Sequence, residues 1–302
     1  MDVSLSKLRV FLAVLDTGNV SRAADELGVS QAAVSAALKR LERDFSLDLF
    51  RRGRFGAVPS EAAKRLEPQA RRLLQQKEEF LQTASSLRGN LSGVVRVASF
   101  QTLSRLVVPR LIQRLAACYP GVRLELDEQH PSAHSINEAL LRGACDLGFI
   151  NHEADDRLRS WRLLGDSLVV LVPTGANVAA WDEVLGLPLI GYQHHEDGCS
   201  LGIDYVRDTF GKRPAHKVKE TSTVLGMVAQ GMGFTVLPEL SSGTLPEGVN
   251  VLSLELNITR QTYVAAGPES LRLPAVRSVL SMLRDFLPES ELPPLSVSNE
   301  AR

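Results

Sequence analysis

Three short apolar stripes at helical spacing open the chain. Leu5, Leu8, Phe11, Leu12 and Leu15 mark one face of a first helix. Ala23, Ala24 and Leu27 mark a second, with Ser21 placed to cap it and Gly28 to supply a turn that favours positive φ. Ser30 is placed to cap a third helix, whose stripe of Val34, Leu38 and Leu41 follows the i, i+4, i+7 pattern. The opposite face of that helix carries Gln31, Ala32, Ser35, Lys39 and Arg43. Small and polar groups at a helix start can reach base edges, and cations further along can hold phosphates. An ordinary helical hairpin with a solvated polar face would share this pattern, so the flanks decide.

After Arg43 the segment FSLDLFRRGRFGAVPS sets the anchors Phe45, Leu47, Leu49 and Phe50 before Arg51, Arg52, Gly53, Arg54 and Gly56. Glycines among arginines suit a short two-stranded wing whose charges lie beside a nucleic-acid backbone. From Ser60 to about Leu87 the pattern predicts one long helix. Leu66, Ala70, Leu73, Lys77, Phe80, Ala84 and Leu87 alternate by four and three, a narrow seam broken once by Lys77. Such a seam suits a partner helix, or a helix lying on its own domain. Pro68 predicts a kink or a restart. RGNLSG, residues 88–93, reads as a hinge by composition.

Beyond it the period switches to alternating strands and helices. VVRVAS, VRLELDEQ and CDLGFI read as strands, with helices near Leu103–Ala117 and Ala133–Arg142. SLVVLVP, LPLIGY, HKVKE and GFTVLP form a second set, with helices near Leu201–Phe210 and Thr223–Gln230. Tyr263–Ala266 reads as a strand and Ala275–Phe286 as a closing helix. This rhythm predicts a mostly parallel sheet covered by helices.

LRVFLAVLDTGNVSRAADELGVSQAAVSAALKRLE, LLRGACDLGFI and GMVAQGMGFTVLPEL, in that order, resemble the LysR-type transcriptional regulators. The resemblance implies an α/β protein with an all-α-type winged helix-turn-helix at residues 1–59 and a dimerising linker helix at 60–88. A hinge at 89–93 would follow. Beyond it the resemblance implies a two-lobed domain like a periplasmic binding protein, with lobe I at 94–162 and 266–287 and lobe II at 163–265. The crossovers would lie near Trp161–Leu164 and Tyr263–Gly267, and the tail 288–302 is expected to be disordered. DNA contacts would come from Ser21, Gln31, Ala32, Ser35, Lys39, Arg51, Arg52 and Arg54. Partners would be promoter DNA, a small-molecule effector, RNA polymerase and further copies of the chain, as a dimer of dimers. Three places depart from the family pattern. Phe45-Ser46 stands where Leu-Gly is usual, Pro59-Ser60-Glu61-Ala62-Ala63 replaces Leu-Thr-x-Ala-Gly, and Ala36 replaces a basic or bulky residue after the recognition-helix serine.

Ligands of open α/β sheets bind beyond the carboxyl ends of strands, against helix starts. The residues there are Ser99, Phe100, Gln101 and Thr102, then Gln129 and His130, then Asn151 with His152. In the second lobe they are Tyr192, Ser200, Thr221 and Ser222. Hydroxyls and free N–H groups favour an anion or polar carbonyl compound, although each residue could simply cap its helix. The family's effector pocket matches these positions, Ser99, Thr102 and Thr221 most firmly.

Composition narrows the alternatives. With 302 residues and 44% apolar content, two or three packed units are expected. The net charge of −1 means that any basic surface is local. No apolar run approaches the ~20 residues of a membrane span, and no signal-peptide pattern opens the chain, so a cytoplasmic protein is expected rather than an exported solute-binding one. Cys118, Cys145 and Cys199 form no CxxC pair. Glu196-Asp197-Gly198-Cys199 is similar to the redox loop of the family's peroxide-sensing branch, without the second nearby cysteine, so a single oxidisable thiol is the alternative trigger. His130 and His134 are separated by Pro131, which argues against a metal pair. No nucleophile elbow, P-loop or dinucleotide fingerprint is present, so no catalytic residue, cofactor or metal is expected.

Overall fold

The computed structural model describes residues 3–53, 56–130, 132–152, 154–193, 200–252, 254 and 258–283. Helix α1 (Leu5–Thr17) starts at the Ser4 side chain and stops at Gly18, where φ is 60°. Helix α2 (Val20–Leu27) is capped by Asn19, not Ser21: Asn19 Oδ1 accepts from the Ser21 and Arg22 amides at 2.8 and 3.2 Å. The cap thus lies two residues earlier than the apolar spacing suggested. Gly28 makes the expected left-handed turn, and Ser30 caps α3 (Gln31–Phe45) through the Ala33 amide. α3 ends on Ser46, which holds φ 54° without being a glycine. A side chain in that region costs roughly 1–2 kcal/mol, which accounts for the glycine usual there. Strands β1 (Phe50–Gly53) and β2 (Gly56–Pro59) then form the wing.

Helix α4 (Glu61–Leu87) is one unbroken element of 27 residues that runs through Pro68 without restarting. Its expected seam divides in two. Leu66 and Ala70, with Ala63 and Leu74 beside them and outside the seam, pack into the core made by Leu8, Phe11, Val34, Leu38 and Leu41 of the first three helices. Leu73, Phe80 and Leu87, by contrast, are 49%, 73% and 85% exposed. The far half of α4 is fastened instead by polar contacts. Gln82 is fully buried, and its Oε1 accepts the Ala275 amide at 3.0 Å.

That amide opens the last helix of a sheet domain. β3 (Ser92–Ala98), α5 (Gln101–Leu106), α6 (Val108–Cys118), β4 (Gly121–Asp127), α7 (Ala133–Arg142) and β5 (Leu147–Ile150) build the first lobe. β3 begins inside the stretch expected to be a hinge. One helix was expected over Leu103–Ala117, but the chain breaks at Val107. Pro109 cannot donate to the turn before it and sits in the first turn of α6, where that loss is harmless. β6 (Arg159–Pro173) then leads to α8 (Trp181–Val184), β7 (Ile190–Tyr192), α9 (Leu201–Phe210), β8 (His216–Val218), α10 (Thr221–Ala229), β9 (Thr235–Pro238), α11 (Glu239–Ser242) and β10 (Val249–Leu252). β11 (Thr259–Ala266) returns to the first lobe, where α12 (Pro274–Leu283) closes it.

The sheet is mixed rather than mostly parallel. β3 pairs parallel with β4 and β5, but β11 lies antiparallel between β5 and β6, and β6 runs antiparallel to β9 and β10. The two crossovers are therefore a pair of long strands, the second including the strand expected at Tyr263–Ala266. Residues 159–162 of β6 face 263–266 of β11 in the first lobe, and a register shift at Thr262/Tyr263 precedes the second. Each lobe has its own core: Val97, Leu111, Phe149, Val276 and Val279 in the first, Val170, Ile203, Val224, Phe234 and Val236 in the second.

Replacing Gln82 by leucine keeps its bulk but strands the Ala275 N–H. A loss of about 1–3 kcal/mol in urea unfolding is expected, the cost of one unpaired buried polar group. An unchanged midpoint would show that this hydrogen bond does not tie α4 to α12.

Candidate functional site

Burial of Val34, Leu38 and Leu41 turns the other side of α3 outward. Gln31, Ala32 and Lys39 are exposed there and Ser35 is half-buried. This face, the start of α2 and the wing enclose a groove of about 310 Å³, lined among others by Ser21, Gln31, Ser35, Lys39, Glu42 and Arg51. Arg51 is exposed on β1 opposite Val58, and the backbone of Arg52 pairs with Ala57. Arg54 lies outside the described residues. Five of the eight DNA-facing residues expected from the sequence thus converge on one groove, with Ala32 exposed on the same helix. The spacing of a helix face located them. It did not reveal Glu42, whose Oε1 accepts the Leu49 and Phe50 amides at 2.9 and 3.2 Å.

A second cluster lies where the lobes meet. Asp166 on β6 and Arg260 on β11 are cross-strand partners, and their side chains are 3% and 1% exposed. Arg260 donates Nε and Nη2 to Asp166 Oδ1 and Oδ2, each at 2.9 Å, a bidentate pair. Asp166 Oδ2 also accepts the Leu240 amide at 2.9 Å, and Arg260 Nη1 donates to Ser241 Oγ at 3.1 Å. Leu240 and Ser241 both belong to α11. From the other lobe, Thr102 Oγ1 meets Ser241 Oγ at 3.0 Å, and Arg105 Nη2 donates to the Leu240 carbonyl at 2.6 Å. The Phe100 ring centre lies 5.9 Å from the Arg260 guanidinium carbon, a cation–π contact.

The expected ligand residues divide between surroundings. Thr102 is buried against Ser241, whereas Thr221 is held within the second lobe, accepting from the Tyr192 hydroxyl at 3.2 Å. Thr102 and Thr221 were expected to face one ligand together, yet each hydroxyl has a separate partner. α5 and α10 carry no side-chain cap, so these hydroxyls do not serve as caps. Ser99 is buried, with its hydroxyl donating to the Phe100 carbonyl at 3.2 Å, and Ser200 is buried as well. Gln101, Gln129 and Ser222 are exposed, and Asn151 is half-buried. His130 Nε2 lies 3.2 Å from Asp127 Oδ2, while His134 faces Glu138, so the two histidines have different partners. Among the described residues no group of three or more metal-ligating side chains forms. Cys199 and its loop lie outside the described residues. Burial beside Asp146 pushes the Cys145 thiol up to about 12, which keeps it protonated and unreactive.

Residues 5–64 match the bacterial regulatory helix-turn-helix protein, lysR family, and residues 88–288 match the LysR substrate binding domain. The chain belongs to the LysR family of transcriptional regulators. A probable HTH-type transcriptional regulator, LrrA of Synechococcus elongatus, is 30% identical over 95% of this chain and 98% of its own. The uncharacterized regulator YfeR of Shigella flexneri is 28% identical over 82% of each. Full-length OxyR of Pseudomonas aeruginosa, in a cysteine-to-aspartate form, shares the fold with a TM-score of 0.67 at 22% identity, covering 94% of this chain and 95% of that one. CbnR complexed with its target DNA does so with a TM-score of 0.64 at 17% identity, covering 94% and 100%. The protein is thus a LysR-type DNA-binding transcriptional regulator with an effector-binding domain. Among the described residues no helix is long and apolar enough to cross a membrane.

Strand parity could have flagged the ion pair in this LysR-type chain. Asp166 shares its side of β6 with Leu168 and Val170, and Arg260 shares its side of β11 with Thr262 and Val264, so both charges point inward. Asp166→Asn leaves the Arg260 charge buried and short of its counter-charge. A loss of about 3–5 kcal/mol is expected in urea unfolding, with part of it recovered in Asp166→Leu/Arg260→Met. A loss below about 1 kcal/mol would show that the pair is not desolvated.

Proposed function

We propose that this regulator binds a partly symmetric promoter site through residues 1–59 and alters transcription when a small molecule changes the join between its lobes. The linker helix 60–88 holds subunits together, lobe I (94–162 with 266–287) and lobe II (163–265) sense the ligand, and the assembly is a dimer of dimers. Working in the cytoplasm without catalysis or cofactor, it acts on RNA polymerase at the promoter. The observation that supports the sensing step is the Thr102–Ser241 hydrogen bond of 3.0 Å, because it joins helices of different lobes. A polar effector that takes the Thr102 hydroxyl must exchange that bond, and a differential contact of this kind is what shifts a two-state equilibrium. Ser99, Phe100, Gln101, Gln129, His130 and Asn151 complete one wall, and Tyr192, Ser200, Thr221 and Ser222 the other. The exposed Phe80 and Leu73 support the oligomer, since apolar residues of this size on one helix face suit a second helix.

On the DNA side, Gln31, Ala32 and Ser35 read bases while Ser21, Lys39, Arg51, Arg52 and Arg54 hold the backbone. Gln31→Ala should compress the ratio of specific to random affinity by about 1–3 kcal/mol, whereas Lys39→Ala should lower both affinities together. Equal ratios for Gln31→Ala and the wild type in a mobility-shift titration would remove Gln31 from base reading.

For the effector, a thermal-shift screen of small acids and aromatics identifies a ligand, since saturation at about a hundred times Kd adds about 2.7 kcal/mol. With that ligand, Thr102→Val should leave DNA affinity without ligand unchanged and weaken promoter response by about 1–3 kcal/mol. A wild-type response from Thr102→Val would take Thr102 out of the signal.

A further inference from the structure

We propose that Glu42 is the positioning residue that locks the wing to the recognition helix. The inference rests on the reading that the wing touches DNA. Glu42 stands on the last turns of α3, one residue beyond the buried Leu41, and lines the groove between that helix and the wing. Its Oε1 accepts both the Leu49 amide at 2.9 Å and the Phe50 amide at 3.2 Å. Those are the last donor before β1 and the first within it. Leu49 itself is fully buried, so its amide would otherwise be left without a partner away from water.

The other strand of the wing is held independently. The Ala57 amide donates to the Gly18 carbonyl at 2.8 Å, in the turn between α1 and α2. A Cβ on Gly56, whose φ is 136°, would collide with that same carbonyl oxygen, so only glycine permits the approach. At the wing's foot the Ser60 hydroxyl and amide donate to the Asp48 and Leu49 carbonyls. One strand is therefore set by α3 and the other by the α1–α2 turn. A rotation of α3 against the wing must break the Glu42 bonds first. A carboxylate beside a DNA-facing groove repels phosphate, so Glu42 is not placed there to hold the backbone, and both of its observed bonds from one oxygen go to the wing.

Two substitutions separate reach from charge. Glu42→Gln keeps an oxygen at the same distance and loses the charge, whereas Glu42→Asp keeps the charge and shortens the reach. The full-length variants are titrated by mobility shift at several salt concentrations. One probe is a duplex selected from a random library by the wild-type protein, and the other is a shuffled duplex of the same composition. Glu42→Asp should bind both duplexes about tenfold more weakly, with a salt slope flatter by about one for each phosphate the wing no longer neutralises. Amide exchange at Leu49 and Phe50 should quicken in that variant. Glu42→Gln should match or exceed the wild type in affinity and keep both amides protected. A wild-type slope in Glu42→Asp, or an equal weakening in Glu42→Gln, overturns the proposal. The triple variant Arg51→Ala/Arg52→Ala/Arg54→Ala distinguishes the underlying reading. If it leaves the slope unchanged, the wing does not touch DNA and both readings fall. If it flattens the slope while Glu42→Asp does not, the Glu42 proposal alone falls.

Discussion

Burying two opposite charges between the lobes constrains everything built around them. Asp166 and Arg260 give up nearly all hydration, and in such surroundings an ion pair is tolerated only when its geometry is complete. Completeness here draws in the neighbouring helix: the remaining acceptor capacity of Asp166 takes the Leu240 amide, and the remaining fork of Arg260 takes Ser241. Those two bonds place α11, and α11 in turn offers Ser241 to Thr102 and the Leu240 carbonyl to Arg105. The polar contact between the lobes is thus a consequence of satisfying a charge. A shift of one lobe against the other breaks bonds in a shared network, which favours discrete arrangements over gradual ones.

The connection to the DNA-binding end is also polar. Arg71 of α4, with its side chain 6% exposed, pairs with Glu67 one turn earlier and with Asp16 of α1. Arg142 of α7 approaches Glu67 at 3.8 Å, and Gln75 donates to Ser270 at 3.2 Å. The linker therefore sits in the core of one domain by its first turns and is pinned to the other by Gln75 and Gln82. What the apolar pattern of α4 could not express is this division, because a heptad seam records which residues are apolar and not which neighbour covers them.

Elements with a strong local signature were legible from residues alone. The three N-terminal helices, the long linker, β3, β4, β5 and α7 all follow from periodicity and punctuation by glycine and serine. The groove residues of α3 were legible for the same reason, since a buried Val34, Leu38 and Leu41 leave one possible outer face. Features decided by tertiary pairing were not. The antiparallel crossovers, the short β10 and the Asn19 cap each depend on a partner distant or non-periodic in sequence. Thr102 and Thr221 were rightly placed at helix starts, yet their partners Ser241 and Tyr192 could be found only in three dimensions.

The paired long strands also dictate the order in which the chain can finish folding. β5 waits for β11 as its antiparallel neighbour, and the core under β3 waits for α12, so the first lobe is sealed by residues synthesised long after its opening strands. At ~5–20 residues per second, the interval between translating Ile150 and Tyr263 is on the order of ten seconds. Throughout it the half-built lobe exposes apolar surface and an unpaired strand edge, which are the features chaperones recognise and aggregates exploit. Pairings of this sequence separation are slow to form, so the strands that join the two lobes also leave that surface and edge uncovered until α12 emerges.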